Sequence, residues 1–577
     1  MLILIEFGLV VVAIALAFWF PRLGANPMSK IERAFARIAR NRKRSVLLVG
    51  LAALCARAAV LPILPIPQPY INDEFSHLLL ADTLVHGRLA NPPHPMWIHF
   101  ETFHVIMQPT YSSMYPPGQG LALAVGKILT GLPFAGVWLS VAAMCAAICW
   151  MLQGWVPPGW ALFGGLIAVM RLAVFSYWDN SYWGGAVAAT GGALVLGALP
   201  RILRFARARD AFLMGLGLAV LANTRPYEGF VFSVPVACVL FVWFFRKRER
   251  LWDLSRSVLV PLLIVVVLAG LATGYYYWRV TGNPLRMAYQ VDRETYAVAP
   301  YFLWQDPRPE PVYHHATMAQ FYLHNELDFY KKNRTAASIL TLEFSKLLQA
   351  WLFYSGPVLT LPLVISAVIL PFGFRWSQLP RKTRFLIVAS VVSAAGLAIE
   401  VFFFPHYASA MTTLFYGLMV LAMRHVRSWS WRGRPVGVAL TRAVPVICLA
   451  MLALRAEAAP LHLLPTVDSP ILWCDVGPAT TDRVRLEHQL KQYPGQQLVL
   501  VRYKPGAPST IYHSSAYALY DWVYNEADID KSEVVWARDM GAAANQELID
   551  YFSGRHVWLM QPDENPPRLS PYSLPAN

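Results

Sequence analysis

Two adjacent carboxylates, Asp73 and Glu74, come directly after an apolar stretch of the chain. Ionised side chains beside hydrocarbon are costly to desolvate, so proteins keep them there mainly when they are used. A carboxylate in this place can take the proton from a weakly acidic hydroxyl as that hydroxyl attacks another group. A second interpretation needs no catalysis, because Asp at a helix N-cap and Glu in the first turn are favoured by the helix dipole.

A second group of residues could bind an anion. Arg225 follows an apolar span, and a guanidinium matches the oxygens of a phosphate group. It could instead snorkel towards water or pair with Glu228. His406 and Tyr407 lie at the end of another apolar span, where such residues also serve as interface anchors.

Other polar residues suggest weaker sites. His99, Glu101 and His104 could supply three metal ligands, but the loop is not expected to be one uninterrupted helix, so a divalent metal is not favoured and no other cofactor is indicated. Asp179 and Trp183 belong to a cluster of aromatic residues with a carboxylate, as expected where sugar rings stack. An interface belt would have a similar composition.

The composition predicts that these residues are held by a polytopic α-helical membrane protein. Of the 577 residues 56% are hydrophobic and 14% charged, and the mean hydropathy is +0.41. We predict about twelve transmembrane helices, the first of which is an anchor that stays on the protein. The candidate spans are 2–20, 45–66, 133–152, 160–177, 185–199, 211–222, 229–245, 257–278, 350–372, 385–404, 407–423 and 438–456.

The distribution of Lys and Arg predicts the orientation. The linker after the first span is basic, and strict alternation places four further basic loops on the same, cytoplasmic side. The opposite, exterior side then receives the loops 67–117 and 279–345 and the segment from about 457. The net charge of +15 reflects these cytoplasmic anchors, so nucleic acid is not an expected partner.

Three regions follow from this topology: an anchor and basic linker (1–44), a transmembrane catalytic domain (45–456) and a small extracytoplasmic α/β domain (457–577). The last contains β-rich runs at 497–503, 533–537 and 556–560 and a helical run at 545–552. It has neither a glycine-rich phosphate loop nor a nucleophile elbow, which favours a structural or acceptor-docking role.

The first exterior loop carries a recognisable order of motifs. Asp73-Glu74 is followed by FSHLLLADTLVHGRL, a proline-rich stretch and YPPGQGLALAVG, which opens the next hydrophobic helix. This order resembles the first exterior loop of GT-C glycosyltransferases, most closely the protein O-mannosyltransferases and lipid A aminoarabinose transferases of glycosyltransferase family 39. The resemblance covers 45–245, and beyond it only the span count and FFPHY. The added first span and the lack of a basic residue before Pro116 depart from the pattern.

The resemblance implies a GT-C-like fold and a polyprenyl-phosphate sugar donor, from which the sugar passes with inversion to an acceptor hydroxyl. Asp73 would be the catalytic base and Glu74 would support it or orient the acceptor. A donor phosphate would meet Arg225, His406 and Tyr407. The remaining substrate-binding candidates are His104, Tyr115, Asp179 and Trp183.

A glycan, a lipid and a protein all remain open as acceptors. The resemblance implies a bacterial inner (plasma) membrane location with the active site outside the cytoplasm. Two other functions stay open: a transporter or flippase of lipid-linked glycans, which needs ionisable residues inside its spans, and a polysaccharide polymerase or ligase. The long loop 279–345 adds Arg293 and Lys331, either of which could reach a phosphate.

Overall fold

The computed structural model describes residues 1–371, 375–463, 472–476, 481–504 and 521–573. Parts of the predicted domain 457–577 therefore lie outside the described residues. The fold is mainly helical, with a small α/β domain near the C-terminus. The helices are α1 (Leu2–Trp19), α2 (Ala25–Ala39), α3 (Arg42–Val60), α4 (Asn72–Val85), α5 (Pro117–Thr130), α6 (Phe134–Trp155), α7 (Pro158–Leu172), α8 (Ala186–Phe205), α9 (Ala208–Ala222), α10 (Pro226–Arg246), α11 (Leu251–Leu254), α12 (Val260–Thr281), α13 (Ala288–Thr295), α14 (Ala316–Ala319), α15 (Asp328–Lys332), α16 (Ala336–Ala350), α17 (Gly356–Val368), α18 (Arg381–Ala398), α19 (Thr412–Arg427), α20 (Val436–Ala456), α21 (Asp482–Leu490) and α22 (Ala542–Tyr551).

Helices occur at all of the predicted spans. Within the described residues, seven helical stretches are long and apolar enough to cross a membrane. Others, such as α3, α9, α18 and α19, are shorter or more polar. The chain is a multi-pass membrane protein. A helix satisfies its backbone hydrogen bonds internally, so these apolar helices can cross lipid, where no water is present to bind backbone groups.

One end of the helical bundle carries the loops in which the candidate residues lie. We call it the loop face and define it by residues 61–116, 173–185, 282–335 and 399–411. It contains α4 and a two-stranded hairpin of β1 (Val105–Ile106) and β2 (Ser112–Ser113).

The helix predicted at the start of the first loop is α4, and the motif that follows departs from expectation. YPPGQGLALAVG forms a helix of its own, α5, rather than the opening of the next span. The chain turns at Gly131, whose φ is 82°, and α6 begins after Pro133. Glycine tolerates this left-handed conformation without the Cβ clash that other residues suffer.

The C-terminal domain contains a four-stranded sheet in the order β4-β3-β5-β6. Its strands are β3 (Gln497–Val501), β4 (Val534–Arg538), β5 (His556–Gln561) and β6 (Arg568–Pro571), of which the first three are parallel and β6 is antiparallel.

This domain packs directly on α4. The ring of Tyr524 stacks on Phe75 at 4.4 Å, and the Ala527 N–H donates to Asp82 at 2.9 Å. The Asp521 N–H donates to the side-chain oxygen of Asn72 at 3.2 Å. The domain therefore buttresses the helix that carries the paired carboxylates.

The N-terminal helix is joined to the bundle by a buried ion pair. Glu6 of α1 is fully buried and accepts hydrogen bonds from Arg171 of α7 at 3.2 and 3.3 Å. It also accepts from the Val358 N–H and from Trp473 Nε1, each at 3.1 Å. Through these hydrogen bonds Glu6 connects α1 to α7 and α17, and removal of either charge would leave the other buried and unpaired.

Candidate active site

Asp73 lies in the first turn of α4, and its side chain points towards Tyr115 and His104. The Tyr115 hydroxyl donates a hydrogen bond to its carboxylate. His104 Nδ1 lies 3.2 Å from that hydroxyl and 3.7 Å from Asp73 Oδ1. Since the Asp73 side chain keeps 17% of its exposure, a substrate can reach the carboxylate. The three predicted residues are thus brought together by structure.

His104 is held in an unusual backbone conformation. Its φ is 61°, in the left-handed region that non-glycine residues seldom adopt. Its carbonyl accepts a hydrogen bond from Ser76 Oγ at 2.7 Å and another from the Met114 N–H at 3.2 Å. These two hydrogen bonds hold His104 in a backbone conformation that costs free energy, and such conformations cluster at functional sites.

Glu74 has a different environment from its neighbour. Its carboxylate is completely buried and accepts three backbone hydrogen bonds, from Tyr70, Ile71 and Tyr182 at 2.8–3.1 Å. Burial raises the pKa of Glu74 to about 7, although these three N–H groups favour the ionised form. The helix-capping interpretation therefore describes Glu74, while Asp73 caps nothing. Its hydrogen bonds tie the start of α4 to Tyr182.

Arg225 forms the cationic part of the same pocket. Its guanidinium stacks on the Tyr407 ring at 4.3 Å and lies 3.5 Å from Glu228, so the expected alternative pairing is present. The Arg225 side chain retains 16% exposure. Burial, opposed by the charge of Asp73 and assisted by that of Arg225, lowers the pKa of His77 to about 3.

Two close contacts join the Asp73 and Arg225 parts of the pocket. The Gly118 N–H donates to the Asn223 carbonyl at 2.7 Å, which fixes the YPPG segment against the turn that carries Arg225. The ring of His77, one turn after Asp73, lies 4.4 Å from the Tyr115 ring. The Asp73 carboxylate and the Arg225 guanidinium are therefore close enough for both charges to act on the buried ring of His77.

His406 lies at the base of this site. The backbone N–H of His406 donates to the Tyr177 hydroxyl at 3.0 Å, and the same hydroxyl lies 3.0 Å from His406 Nδ1. Nε2 has no hydrogen-bond partner among the described residues. The Trp183 ring packs at 4.5 Å. In the Nε2–H tautomer, His406 has one N–H without a partner among the described residues.

Asp179 does not join the Asp73 cluster. Its side chain is completely buried, and neither carboxylate oxygen has a hydrogen-bond partner in the described part of the chain. Burial raises the pKa of Asp179 well above its usual range, opposed by the charge of Arg57. Within the described residues its carboxylate has no hydrogen bond or ion pair to Asp73, Tyr115 or His104, so the substrate-binding role of Asp179 stays a prediction.

The three weak metal candidates point to different partners. His99 Nδ1 lies 3.0 Å from the Arg538 carbonyl, Glu101 lies 2.8 Å from His314, and His104 faces Asp73. Across the described residues, no group of three His, Cys, Asp or Glu side chains could hold a metal ion.

Helix α13 supplies residues that sequence reasoning did not single out. The Tyr289 ring packs edge-on against the Tyr115 ring, with 5.4 Å between the ring centroids, so Tyr289 borders the site. Arg293, a predicted phosphate ligand, instead pairs with Glu326 at 2.6 Å and stacks on Tyr301 at 4.7 Å. A lone tyrosine in a long loop carries no sequence signal, so only the packing of α13 against β1 reveals it.

Comparison with known proteins finds similarity in structure only. No protein-family model and no curated protein sequence matches the chain. The solved structure of ArnT from Cupriavidus metallidurans bound to undecaprenyl phosphate is 14% identical, covers 89% of this chain and 92% of its own, and has a TM-score of 0.47.

The archaeal oligosaccharyltransferase AglB from Archaeoglobus fulgidus, in complex with an inhibitory peptide and a dolichol-phosphate, is 9% identical, with 90% and 69% of the two chains covered and a TM-score of 0.41. Against another Archaeoglobus fulgidus oligosaccharyltransferase structure, the chain spans 62% of that protein's length at a TM-score of 0.39. These proteins are GT-C glycosyltransferases, the class that the loop motifs resemble. The likeness is distant and concerns the fold, so function must be argued from the site.

Proposed function

We propose that this protein is a membrane glycosyltransferase that moves a sugar from a polyprenyl-phosphate donor to an acceptor hydroxyl with inversion. The observation that carries the proposal is the accessible Asp73 carboxylate, bonded to Tyr115 and next to His104, in one pocket with Arg225. A base and an anion-binding group on two sides of a cleft are what such a displacement requires. The motif resemblance of the first loop supports the same class.

The reaction needs a single displacement. Asp73 takes the proton of the acceptor hydroxyl while its oxygen bonds to the anomeric carbon. The bond from that carbon to the phosphate oxygen breaks, and its electron pair leaves with the phosphate. Tyr115 and His104 hold the Asp73 carboxylate in place through their polar contacts.

The departing phosphate gains negative charge that must be stabilised. Arg225 supplies a positive charge, and Tyr407 keeps its guanidinium flat against the pocket wall. The His406 Nε2–H supplies a neutral donor. We assign the donor phosphate to these three residues and the acceptor to the side of His104.

We further propose that the loop face is extracytoplasmic and that the protein resides in a bacterial inner membrane. Basic residues dominate the loops at the other end of the bundle, as expected for a cytoplasmic side. The buried charges inside the bundle do not favour a transporter, because Glu6 and Arg171 are locked together with further hydrogen bonds.

The test is transfer of radiolabelled sugar from a panel of polyprenyl-monophosphate sugars by purified protein in lipid, with membrane extract as acceptor. We expect Asp73→Asn to lower the rate by about 10²–10⁴-fold, since the general base is lost. Asp550→Asn changes a solvent-exposed carboxylate on α22 and should leave the rate unchanged. We propose that no metal takes part, so transfer should persist in EDTA.

Three outcomes would contradict the proposal. Full activity of Asp73→Asn, with the protein monodisperse and normally folded, would remove the base. Transfer abolished by EDTA and restored by a divalent cation would replace the metal-free mechanism. No transfer from any monophosphate donor would redirect the search to a diphosphate-using polymerase or a flippase.

A further inference from the structure

A buried carboxylate stands at the site without a role in the displacement. Asp292 lies on α13, is completely buried, and has no hydrogen-bond partner for either carboxylate oxygen within the described residues. An acceptor group that loses water and gains no donor costs the protein free energy. Such a group in a native structure calls for an explanation, and an incoming ligand is one.

The packing of α13 places Asp292 opposite His104. Tyr289, Asp292 and Tyr296 occupy one face of the helix, at spacings of three and four residues. Tyr289 packs against Tyr115 at 5.4 Å, and Tyr296 stacks on Tyr322 at 5.8 Å.

His104 spans the interval between these two contacts. Its ring packs against Tyr115 at 5.9 Å and against Phe321 at 5.6 Å, and Phe321 in turn packs against Tyr322 at 4.9 Å. Asp292, between Tyr289 and Tyr296 on α13, therefore faces the His104 side of the pocket.

The two cations nearest Asp292, Arg293 and His104, have contacts to other groups, while the nearby Tyr322 hydroxyl is buried and has no partner among the described residues. Arg293 pairs with Glu326 at 2.6 Å and donates to the Ala299 carbonyl, and His104 Nδ1 lies beside Tyr115 and Asp73. Neither Asp292 oxygen accepts a hydrogen bond within the described residues, so both keep lone pairs for a donor.

We propose that Asp292 binds the acceptor and that the acceptor is a sugar, whose second hydroxyl beside the attacking one donates to this carboxylate. This inference rests on the proposed function, which puts the acceptor on the His104 side. A carboxylate offers only acceptor lone pairs, so it selects a partner with several adjacent O–H donors. A vicinal diol has this pattern, whereas a serine or threonine side chain has a single hydroxyl. The chemical class of acceptor is thus a glycan or glycolipid.

The test compares acceptors using the labelled donor that works with membrane extract. The probes are octyl glucoside, octyl galactoside and octyl mannoside, each with its monodeoxy analogues, and a serine- and threonine-containing peptide. We expect transfer to the octyl glycosides, and a tenfold to hundredfold rise in acceptor KM for Asp292→Asn with donor KM unchanged, as for a lost bond to a charged group. Removing the neighbouring hydroxyl should abolish the difference between wild type and variant.

Glu294→Gln is the matched control. It lies on the same helix, is exposed and pairs with Arg286 at the surface, so acceptor KM should not change. If Asp292→Asn fails to fold, the acceptor preference of the wild-type protein still tests the proposal. The wild type should prefer diol acceptors over their deoxy analogues by at least about tenfold.

A pH series gives an independent readout. Burial raises the pKa of Asp292 to about 6, and the charges of His104 and Arg293 hold it down while Glu326 raises it. Wild-type acceptor KM should rise between pH 7 and pH 5, as Asp292 becomes protonated and loses acceptor capacity. The Asp292→Asn curve should lack this change. The charge of Asp292 in turn raises the pKa of three neighbouring tyrosines, Tyr296, Tyr301 and Tyr322.

The negative outcomes separate the two proposals. Label linked to an amino-acid hydroxyl in the extract, or transfer to the peptide and to no glycoside, would overturn the sugar acceptor but leave glycosyl transfer intact. The sugar acceptor would also be overturned if Asp292→Asn raised donor KM instead of acceptor KM, or if it raised acceptor KM equally for diol and deoxy acceptors. No transfer from any monophosphate donor would overturn both.

Discussion

At the scale of single residues, the site depends on two neighbouring carboxylates that the protein treats differently. Asp73 keeps part of its exposure and bonds to one hydroxyl, whereas Glu74 is enclosed and satisfied by three backbone N–H groups. The first arrangement leaves lone pairs for a substrate proton. The second fixes the start of α4 and ties it to Tyr182, so that Asp73 points into the pocket.

Glu74 should give the protein a measurable dependence of stability on pH. Its pKa is about 7 in the folded state against 4.5 when unfolded, so between these values the folded state holds a proton that the unfolded state has released. The contribution to stability is full below pH 4.5 and falls by about 3 kcal/mol as pH rises to 7. Melting temperatures of wild type and Glu74→Gln should therefore diverge between pH 4.5 and 7.

The difference between the two melting curves isolates Glu74. The pKa of His77 is lowered to about 3 by burial, so His77 produces the opposite slope, but it is present in both proteins and cancels. Parallel curves for wild type and variant would mean that Glu74 is ionised throughout and that its hydrogen bonds outweigh burial.

At the scale of elements, the pocket depends on how closely α5 approaches the turn after α9. A Cβ added to Gly118 would lie 2.4 Å from Thr224 Cγ2 and 2.5 Å from the Asn223 carbonyl oxygen. No side chain fits there, and the contact can exist only with glycine. The close contact between Gly118 and Asn223 therefore sets the distance between Tyr115, which binds Asp73, and the turn that carries Arg225.

Gly118→Ala should therefore displace the turn that carries Arg225. We expect a loss of about 1–3 kcal/mol in stability and a rise in donor KM, as for an overpacked contact. Gly159→Ala is the matched control, because nothing lies within 4 Å of its added Cβ. Melting temperature and donor KM measure both variants. A normal donor KM for Gly118→Ala would show that the Arg225 turn is set by other contacts.

At the scale of the whole molecule, parts distant in sequence hold the bundle and the site together. The C-terminal domain contacts α4 through Asp521 and Tyr524, which bind Asn72 and Phe75 on either side of Asp73 and Glu74. The N-terminal helix α1 is held to α7 by Glu6 and Arg171, and Trp473 from the start of the C-terminal region stacks on that guanidinium at 4.2 Å. The added first span is therefore integral to the fold.

The Glu6–Arg171 pair predicts strongly non-additive variants. Glu6→Gln or Arg171→Gln alone leaves a buried charge unpaired and should cost about 3–5 kcal/mol. The double variant should cost much less than the sum, because it buries no charge. Thermal unfolding of the four proteins in detergent measures this coupling. Additive losses would show that the two side chains act independently and that α1 is held by its apolar contacts.

Sequence patterns located the candidate residues well where the signal was local. The helix that begins beside Asp73 and the α/β character of the C-terminal region follow from short-range propensity and periodicity, and both are present. For Asp179 the sequence alone could not decide, because a carboxylate among aromatic residues has the same sequence whether its side chain faces a ligand or the protein interior. Asp292 and Tyr289 could not be recognised, since nothing near them in the chain is distinctive.

The sequence by itself determined that this protein is a helical membrane protein with a carboxylate pair at the mouth of a span, because apolar run length and charge placement act locally along the chain. Only the tertiary structure decided which carboxylate is available and what faces it. Burial and hydrogen bonding separate Asp73 from Glu74, while tertiary contacts bring Tyr115 and His104 next to Asp73 and hold the turn of Arg225 against α5. These properties depend on solvent exclusion by elements far apart in sequence, which no local pattern encodes.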